Sequence, residues 1–370
     1  RPALVARPRP ERVPLSLAQS RMWFLNRFDP ESVAYNVPFV VRLTGALDVV
    51  ALQAAVADVV SRHEVLRTVY PEFDGAGWQV VLEPAAAGVE LTVGELISEA
   101  DLLPVIGDFV TTRFDVTRQV PVRARIWPVR FDTEASDGNE FVLAVVAQHI
   151  AVDGYSATPF MRDMMVAYES RLRGGVPGWA PLGVQYADYS VWQREVLGAE
   201  SDPGSVMARQ LGFWRGVLAG VPVELGLPLD RPRPVVASGR GGVVGFGLSE
   251  VQWAGLERVG RELGATPFVV FHAVLVVVLA RLSGEWDVVV GAPVAGRGEA
   301  ELDELVGMFV NTLVLRTRVD PGMSFAELVV RVRGGDVAAL GNADVPFERL
   351  VEVLDPPRSQ ARHPLFQVAL

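Results

Sequence analysis

Four histidines, no cysteine and no serine in a nucleophile elbow narrow the chemistry open to this chain. A Cys nucleophile, a thiolate metal site and a disulfide are excluded by composition. No Gly-x-Ser-x-Gly, phosphate loop or His-Glu-x-x-His occurs, and the glycine-rich stretch Gly239 to Gly247 has Val244 where a dinucleotide fingerprint needs its third glycine. No two of His63, His149, His272 and His363 are spaced as a metal pair, so no metal site is expected. His149 stands apart. It follows the apolar run Phe141 to Val146 and the polar Gln148, and lies four residues before Asp153-Gly154. A neutral imidazole there could accept a proton, orient an amine by a hydrogen bond, or aim its N–H at a developing oxyanion. A strand end, a tight turn and a helix start hold a side chain rigidly at a cleft. The same spacing suits a histidine satisfied in the core beside a turn, and on spacing alone that reading is the stronger. Asp153 reads as a turn residue or an anchor, and Gly154 as a point of close backbone approach.

The elements that must position these residues can be traced along the chain. Its 370 residues suit about two domains, and half of them are hydrophobic, as in a well-packed protein. The net charge of -10 argues against a sequence-independent nucleic-acid binder. Arg1 to Pro14 is rich in Pro and Arg, lacks the apolar stretch of a signal peptide and reads as an entering linker; a start at Arg1 suggests a longer parent. The most apolar run, Phe268 to Ala280, is shorter than the roughly 20 residues of a bilayer span and reads as a buried helix. No membrane partner is expected, and a reducing cytoplasm is the simplest location.

Asp48 to Arg67 has helical apolar spacing with Asp48 as N-cap. Phe141 to Val146 reads as a strand. The next helix is predicted to open near Ser156 to Pro159, capped by Thr158, and to end at Gly174-Gly175. Arg173 to Pro234, rich in Gly, Pro and Trp, reads as a crossover. Ser249-Glu250-Val251-Gln252 is a capping-box pattern, and Thr266-Pro267 opens the apolar helix. Asp287 to Gly291 and Phe309 to Arg316 read as strands, and Ser324 to Leu340 as a helix. Long helices with short strands in both halves predict α/β sandwich layers.

Seven segments, in order, resemble the motifs of the condensation domains of nonribosomal peptide synthetases. They are Ser16 to Leu25, Arg62-His63-Glu64-Val65-Leu66-Arg67-Thr68, Gln148-His149-Ile150-Ala151-Val152-Asp153-Gly154, Tyr186 to Trp192, Val306 to Thr312, Val345-Pro346-Phe347-Glu348 and His363-Pro364-Leu365-Phe366-Gln367. They span nearly the whole chain. The third resembles the family's His-His-x-x-x-Asp-Gly signature with Gln148 in place of the first His. The first two resemble the subtype that takes an L-configured donor. An epimerisation motif is missing, and the Asp that replaces the catalytic His in heterocyclisation relatives is not found.

The resemblance implies an α/β fold of two chloramphenicol-acetyltransferase-like subdomains in a V shape with a central tunnel. Residues 1–175 would form the first and 176–370 the crossover and second. Family members continue past the last motif, so the second is expected to be incomplete. The implied reaction is amide formation between a donor thioester and an acceptor amine, both on 4'-phosphopantetheine arms of carrier proteins, with no cofactor of the domain's own. Upstream donor and downstream acceptor carriers and an adjacent adenylation domain would be the partners. His149 is the implied catalytic residue, chiefly positioning the amine with some base character. Asp153 is implied to be structural and paired with Arg297 across the two halves, and the Gly154 amide to face the donor carbonyl. Gln148, whose amide offers a donor and an acceptor, gives structural support. Arg62 and Arg67 read as buried ion-pair residues. Trp23, Tyr189 and Trp192 read as packing residues. Ser156 and Asn311 are candidates to line the tunnel, and Asn311 suits a strand-end cap equally well. A silent docking module, and an ester-forming or dehydrating variant, are the alternatives.

Overall fold

The apolar run Phe141 to Val146 extends into a longer strand, Glu140–Gln148, in which residues 142–148 are all buried. Continuous burial without alternation marks a strand covered on both faces. The computed structural model describes residues 1–130 and 140–370. The chain divides into two compact units, Arg1–Val196 with Arg297–Val310, and Leu197–Gly296 with Asn311–Leu370.

The first unit runs α1 (Leu17–Phe28), β1 (Asn36–Thr44), α2 (Val49–Arg62), β2 (Leu91–Val93), β3 (Ile97–Ser98), α3 (Glu99–Val110), β4 (Val122–Arg130), β5 (Glu140–Gln148), α4 (Ala157–Leu172) and α5 (Tyr186–Leu197). Its sheet has the order β1-β5-β4-β2, with β3 also on β4. β1, β5 and β4 are antiparallel neighbours, and β2 and β3 run parallel to β4. Leu143, Val145 and Ala147 of β5 share a core with Leu52, Val56 and Val59 of α2 and Phe160 and Met164 of α4. Val142 and Ala144 pack with Trp127 beneath Leu102, Val105 and Ile106 of α3. β5 is thus the middle layer, and its end is a fixed point. A smaller sheet forms from Val13–Pro14, Thr68–Val69, Glu72–Phe73 and Ala76–Val81.

Helix starts follow the expected caps in most places. The Asp48 side chain accepts from Ala51 N–H (2.9 Å) at α2. The helix α4 opens at Ala157, within the predicted window, but the predicted cap is corrected: Thr158 and Pro159 lie inside the helix. The capping box one turn earlier belongs to Asp153 and Ser156, around the short 3-10 turn Gly154–Ser156. The side-chain cap is made by the Asp153 carboxylate, which accepts the Ser156 N–H at 2.9 Å in the turn that leads into α4.

The second unit runs α6 (Val206–Val217), α7 (Glu250–Leu263), α8 (Pro267–Ser283), β6 (Asp287–Val294), β7 (Asn311–Arg318), α9 (Phe325–Leu340) and α10 (Phe347–Leu354). The Ser249 capping box and the Thr266 cap form as read. α8 buries Val269, Val270, Ala273, Val276 and Leu279 against Leu328, Val329 and Val332 of α9, and leaves Val274, Val278 and Leu282 outside. β6 and β7 pair antiparallel, and Val368 to Leu370 lie beside Gly291 in parallel. No helix among the described residues is long and apolar enough to cross a membrane, although α7 and α8, bent by 103°, pass by length and composition together.

Fourteen residues from late in the chain, Arg297–Val310, belong to the first unit. Leu302, Leu305, Val306, Met308 and Phe309 join its core. Fully burying one such side chain stabilises by about 1.5–3 kcal/mol, so the segment is held by a substantial apolar anchor. Its close approach requires glycine at one point: a Cβ on Gly307 would lie 2.3 Å from Tyr186 Cδ2 and 2.5 Å from Phe309 Cε2. We expect Gly307→Ala to destabilise the first unit by about 1–3 kcal/mol, as overpacking does. Urea denaturation followed by tryptophan fluorescence measures this, and an unchanged midpoint would contradict the packing described.

Candidate active site

His149 is the first residue past the end of β5, and the backbone there is pinned from both sides. Gln148 N–H donates to Pro121 O (2.9 Å) and His149 N–H to Tyr35 O (2.8 Å). The chain then turns, with Ala151 N–H on Gln148 O (2.9 Å) and Ile150 N–H on the Gln148 side-chain oxygen. Gln148 is buried, and its amide braces this turn. From α1, Gln19 Nε2 reaches Ile150 O (3.3 Å) and Tyr70 Oη (3.3 Å). The imidazole itself is half-buried. Its Nδ1 is enclosed and has no hydrogen-bond partner among the described residues. Burying a polar atom unpaired costs about 1–3 kcal/mol, so a rigid frame here carries a ring that the frame does not itself engage.

Four residues on, the Asp153 carboxylate is fully buried and accepts five donors: Ser156 N–H, Ser156 Oγ–H and Arg297 Nη2 on Oδ1, and the Phe309 and Val310 N–H groups on Oδ2. The Oδ2 distances are 2.9 Å and 3.2 Å, and the Arg297 distance is 3.4 Å. The Arg297 guanidinium also donates to Leu302 O and Leu305 O and lies 4.3 Å from the Phe309 ring centroid. Arg297 and Asp153 do pair, but both belong to the first unit, so the bond is internal to it.

Ser156 does not line a passage. It is fully buried, donates to Asp153 Oδ1 (2.8 Å) and accepts the Gly307 N–H (3.0 Å). Gly154 is exposed, and a Cβ built on it meets nothing within 4 Å. Nothing in the chain itself therefore demands glycine there. In the second unit Asn311 takes the cap role: its Nδ2 donates to Ala343 O and Val345 O (both 2.9 Å), and its Oδ1 accepts from Thr312 and Phe347 N–H.

Arg62 and Arg67 sit behind this frame. Arg62 Nε donates to Asp163 Oδ2 (2.7 Å), and its guanidinium lies 4.8 Å from the Trp179 ring centroid. Arg67 bonds Leu82 O and lies 3.7 Å from Glu64. His63, to which the sequence gave no role, is buried between Asp163 (Nε2, 2.9 Å) and the Val306 N–H (Nδ1, 3.5 Å). Burial holds its imidazole below the ordinary value, outweighing Asp163. Burial pushes the Asp163 carboxyl up, but hydrogen bonds from His63 and Arg162 outweigh it and hold it below the usual range. Two more contributors carried a readable signal. Ser16 and Gln19 form an S-x-x-Q capping box, and Ser16 Oγ meets Tyr186 Oη (2.8 Å), which donates to Met308 O (2.6 Å).

Residues 10–370 match the family model of the condensation domain. The chain belongs to the condensation-domain family. Its relatives are nonribosomal peptide synthetases. It is 50% identical over 363 residues to the probable non-canonical nonribosomal peptide synthetase CymA of Salinispora arenicola, covering 98% of this chain and 4% of that protein. It is 44% identical to the dimodular nonribosomal peptide synthase of Bacillus subtilis, covering 100% of this chain and 15% of the relative. The chain thus spans a small part of these relatives. Among solved structures, the X-domain from teicoplanin biosynthesis is 35% identical with a TM-score of 0.88, covering 100% of this domain and 79% of that chain. The same X-domain in complex with OxyB gives 0.89.

The buried His63 sets a pH dependence. Its folded pKa lies below the ordinary 6.5, so the unfolded chain takes up the proton first as pH falls. This contribution is complete above about 6.5 and is lost as pH falls from there towards the folded value, at up to about 1.4 kcal/mol per pH unit. Asp163 adds a loss at lower pH, below the ordinary carboxylate range. Urea unfolding between pH 7.5 and 5.5 is expected to show a fall in stability that His63→Gln reduces; equal slopes in both proteins would refute the assignment.

Proposed function

We propose that this condensation domain forms an amide bond between a donor acyl thioester and the amine of an acceptor aminoacyl thioester. Both substrates arrive on phosphopantetheine arms, from an upstream and a downstream carrier protein, with an adenylation domain adjacent. The acceptor nitrogen attacks the thioester carbonyl, the C–N bond forms and the C–S bond breaks. The proton lost by the amine offsets the charge of the departing thiolate. A free α-amino group has a pKa near about 8, so a useful fraction is neutral at pH 7. Positioning then supplies much of the rate, since oriented groups reach effective molarities on the order of 10^5 to 10^8 M.

One observation carries this reading: His149 is fixed at the end of a buried strand while its own Nδ1 has no internal partner. The buried histidines His63 and His272 each spend a ring nitrogen on a carboxylate, Asp163 and Asp336, although the His272 Nε2 is also unpaired, whereas the His149 ring has no hydrogen-bond partner at all among the described residues. In this reading His149 acts on the reacting groups, and the open space beside Gly154 lets a thioester approach the backbone. Asp153, Arg297 and Ser156 hold the frame. The motifs that resemble the L-donor subtype support an L-configured donor.

A second reading is a silent docking module. The X-domain likeness favours it, because that relative was solved with OxyB bound, and Gln148 departs from the signature.

Intact-mass analysis of loaded donor and acceptor carriers separates the two. We expect a dipeptidyl acceptor, falling at least tenfold with His149→Ala. No product from several matched substrate pairs would favour docking. Gln148→His is expected to preserve or raise turnover, since a ring nitrogen can also accept the Ile150 N–H; a large loss would give Gln148 a role of its own.

A further inference from the structure

The first unit holds a cavity of about 460 Å³, clear of the residues assigned above, whose lining carries three arginines and one carboxylate in a chain of net charge -10. It opens between the end of α1 and the loop that follows α3, and Arg27, Arg113 and Arg123 line it with Asp115. An excess of guanidinium over carboxylate in the lining, against the sign of the whole molecule, is a local arrangement that chain composition does not produce by itself.

The three guanidiniums differ in how they are held. Arg123 is a fixed cation. Its Nη2 donates to Arg113 O (2.8 Å) and Gln119 Oε1 (3.1 Å), its Nη1 to Thr112 O (3.3 Å), and it lies 4.0 Å from the Phe114 ring centroid. All of these partners are neutral, and it makes no ion pair among the described residues. Partial burial lowers its pKa, as expected of a cation lacking a counter-charge. Arg27 and Arg113 instead pair with the exposed Glu72 and Glu31. Exposed pairs of this kind contribute about 0–1 kcal/mol, so either arginine can exchange its partner for a ligand at little cost. The Asp115 Oδ1 is already taken by Thr117, through its N–H (3.0 Å) and hydroxyl (2.6 Å).

We infer that this cavity binds a phosphate ester, with Arg27, Arg113 and Arg123 around the phosphoryl group; its carrier-arm form rests on the function proposed above. Guanidinium forks match phosphate oxygens in pairs, and the volume falls within the roughly 300–1,000 Å³ of small-molecule sites, well beyond a bare phosphate. The same chemistry has two possible sources, the phosphodiester of a carrier's pantetheine arm or a free phosphorylated metabolite. The wall of the cavity is tied to the frame of His149. Asn36, opposite Gln148 on β1, donates to Val110 O (2.7 Å) and Thr112 O (2.9 Å), and the same loop ends at Pro121, which accepts the Gln148 N–H.

Calorimetry on this chain with 4'-phosphopantetheine, pantetheine and inorganic phosphate tests the site without reference to turnover, so a silent domain would still give an answer. We expect 4'-phosphopantetheine to bind at least tenfold tighter than either other probe, with affinity falling as salt rises. The double variant Arg27→Gln, Arg113→Gln, which leaves the Arg123 contacts in place, should weaken it at least tenfold, with an unchanged urea midpoint. Equal binding of the phosphorylated and unphosphorylated probes, no binding of either, or an unaffected double variant would overturn the inference. Titration with holo- and apo-carrier distinguishes the sources. In the double variant, a loss for the free probe together with holo- but not apo-carrier identifies the tethered arm, and a loss for the free probe with neither carrier affected identifies a metabolite.

Discussion

One buried carboxylate organises this domain's candidate site. Asp153 sits at the foot of the turn that carries His149 and takes up donors from its own turn, from Arg297 and from two consecutive backbone N–H groups at Phe309 and Val310. A carboxylate out of water is tolerable only when so surrounded. Each donor it recruits also fixes a piece of chain. The result joins residues about 150 positions apart into one rigid piece and gives the acid beside His149 a scaffold role. All its lone pairs face the scaffold.

The scaffold around that carboxylate is layered. Apolar packing of β5 between helices sets the height of His149. Backbone bonds to Tyr35 and Pro121 set its direction, and the amides of Gln19 and Gln148 set the turn. The segment from Arg297 to Val310 then closes against it through Gly307, where only a hydrogen fits beside Tyr186 and Phe309. Such redundancy suits a reaction in which orientation supplies most of the rate, because small displacements of a reacting group cost much of the gain.

Charge is used in two ways. Arg62, Arg297 and His63 are buried with acids and carbonyls, and they tie elements together. Arg27, Arg113 and Arg123 are gathered around open space, with only loosely held acids nearby. The first arrangement is saturated, and the second can still accept a ligand.

Much of this was legible beforehand. Local rules placed α2, α7, α8 and α9 with their caps, because a capping side chain acts within three residues of itself. The strand that became β5 was readable because burial on both faces leaves an unbroken apolar run. Motif order led to the condensation family and to His149. What the chain's own local chemistry could not give was partnership at a distance. Ser156 looks like a lining residue until Gly307, far along the sequence, takes its hydroxyl. Thr158 looks like a cap until the turn held by Asp153 starts the helix one residue before it. Nor does local pattern bring Arg27, at a helix end, to the same cavity as Arg123 on a strand. Sequence by itself determined most of the elements and the family, and singled out His149, because those are written in neighbouring residues. Tertiary structure alone decided which polar groups are spent on one another and which remain free, because that depends on contacts that form only when the chain closes on itself.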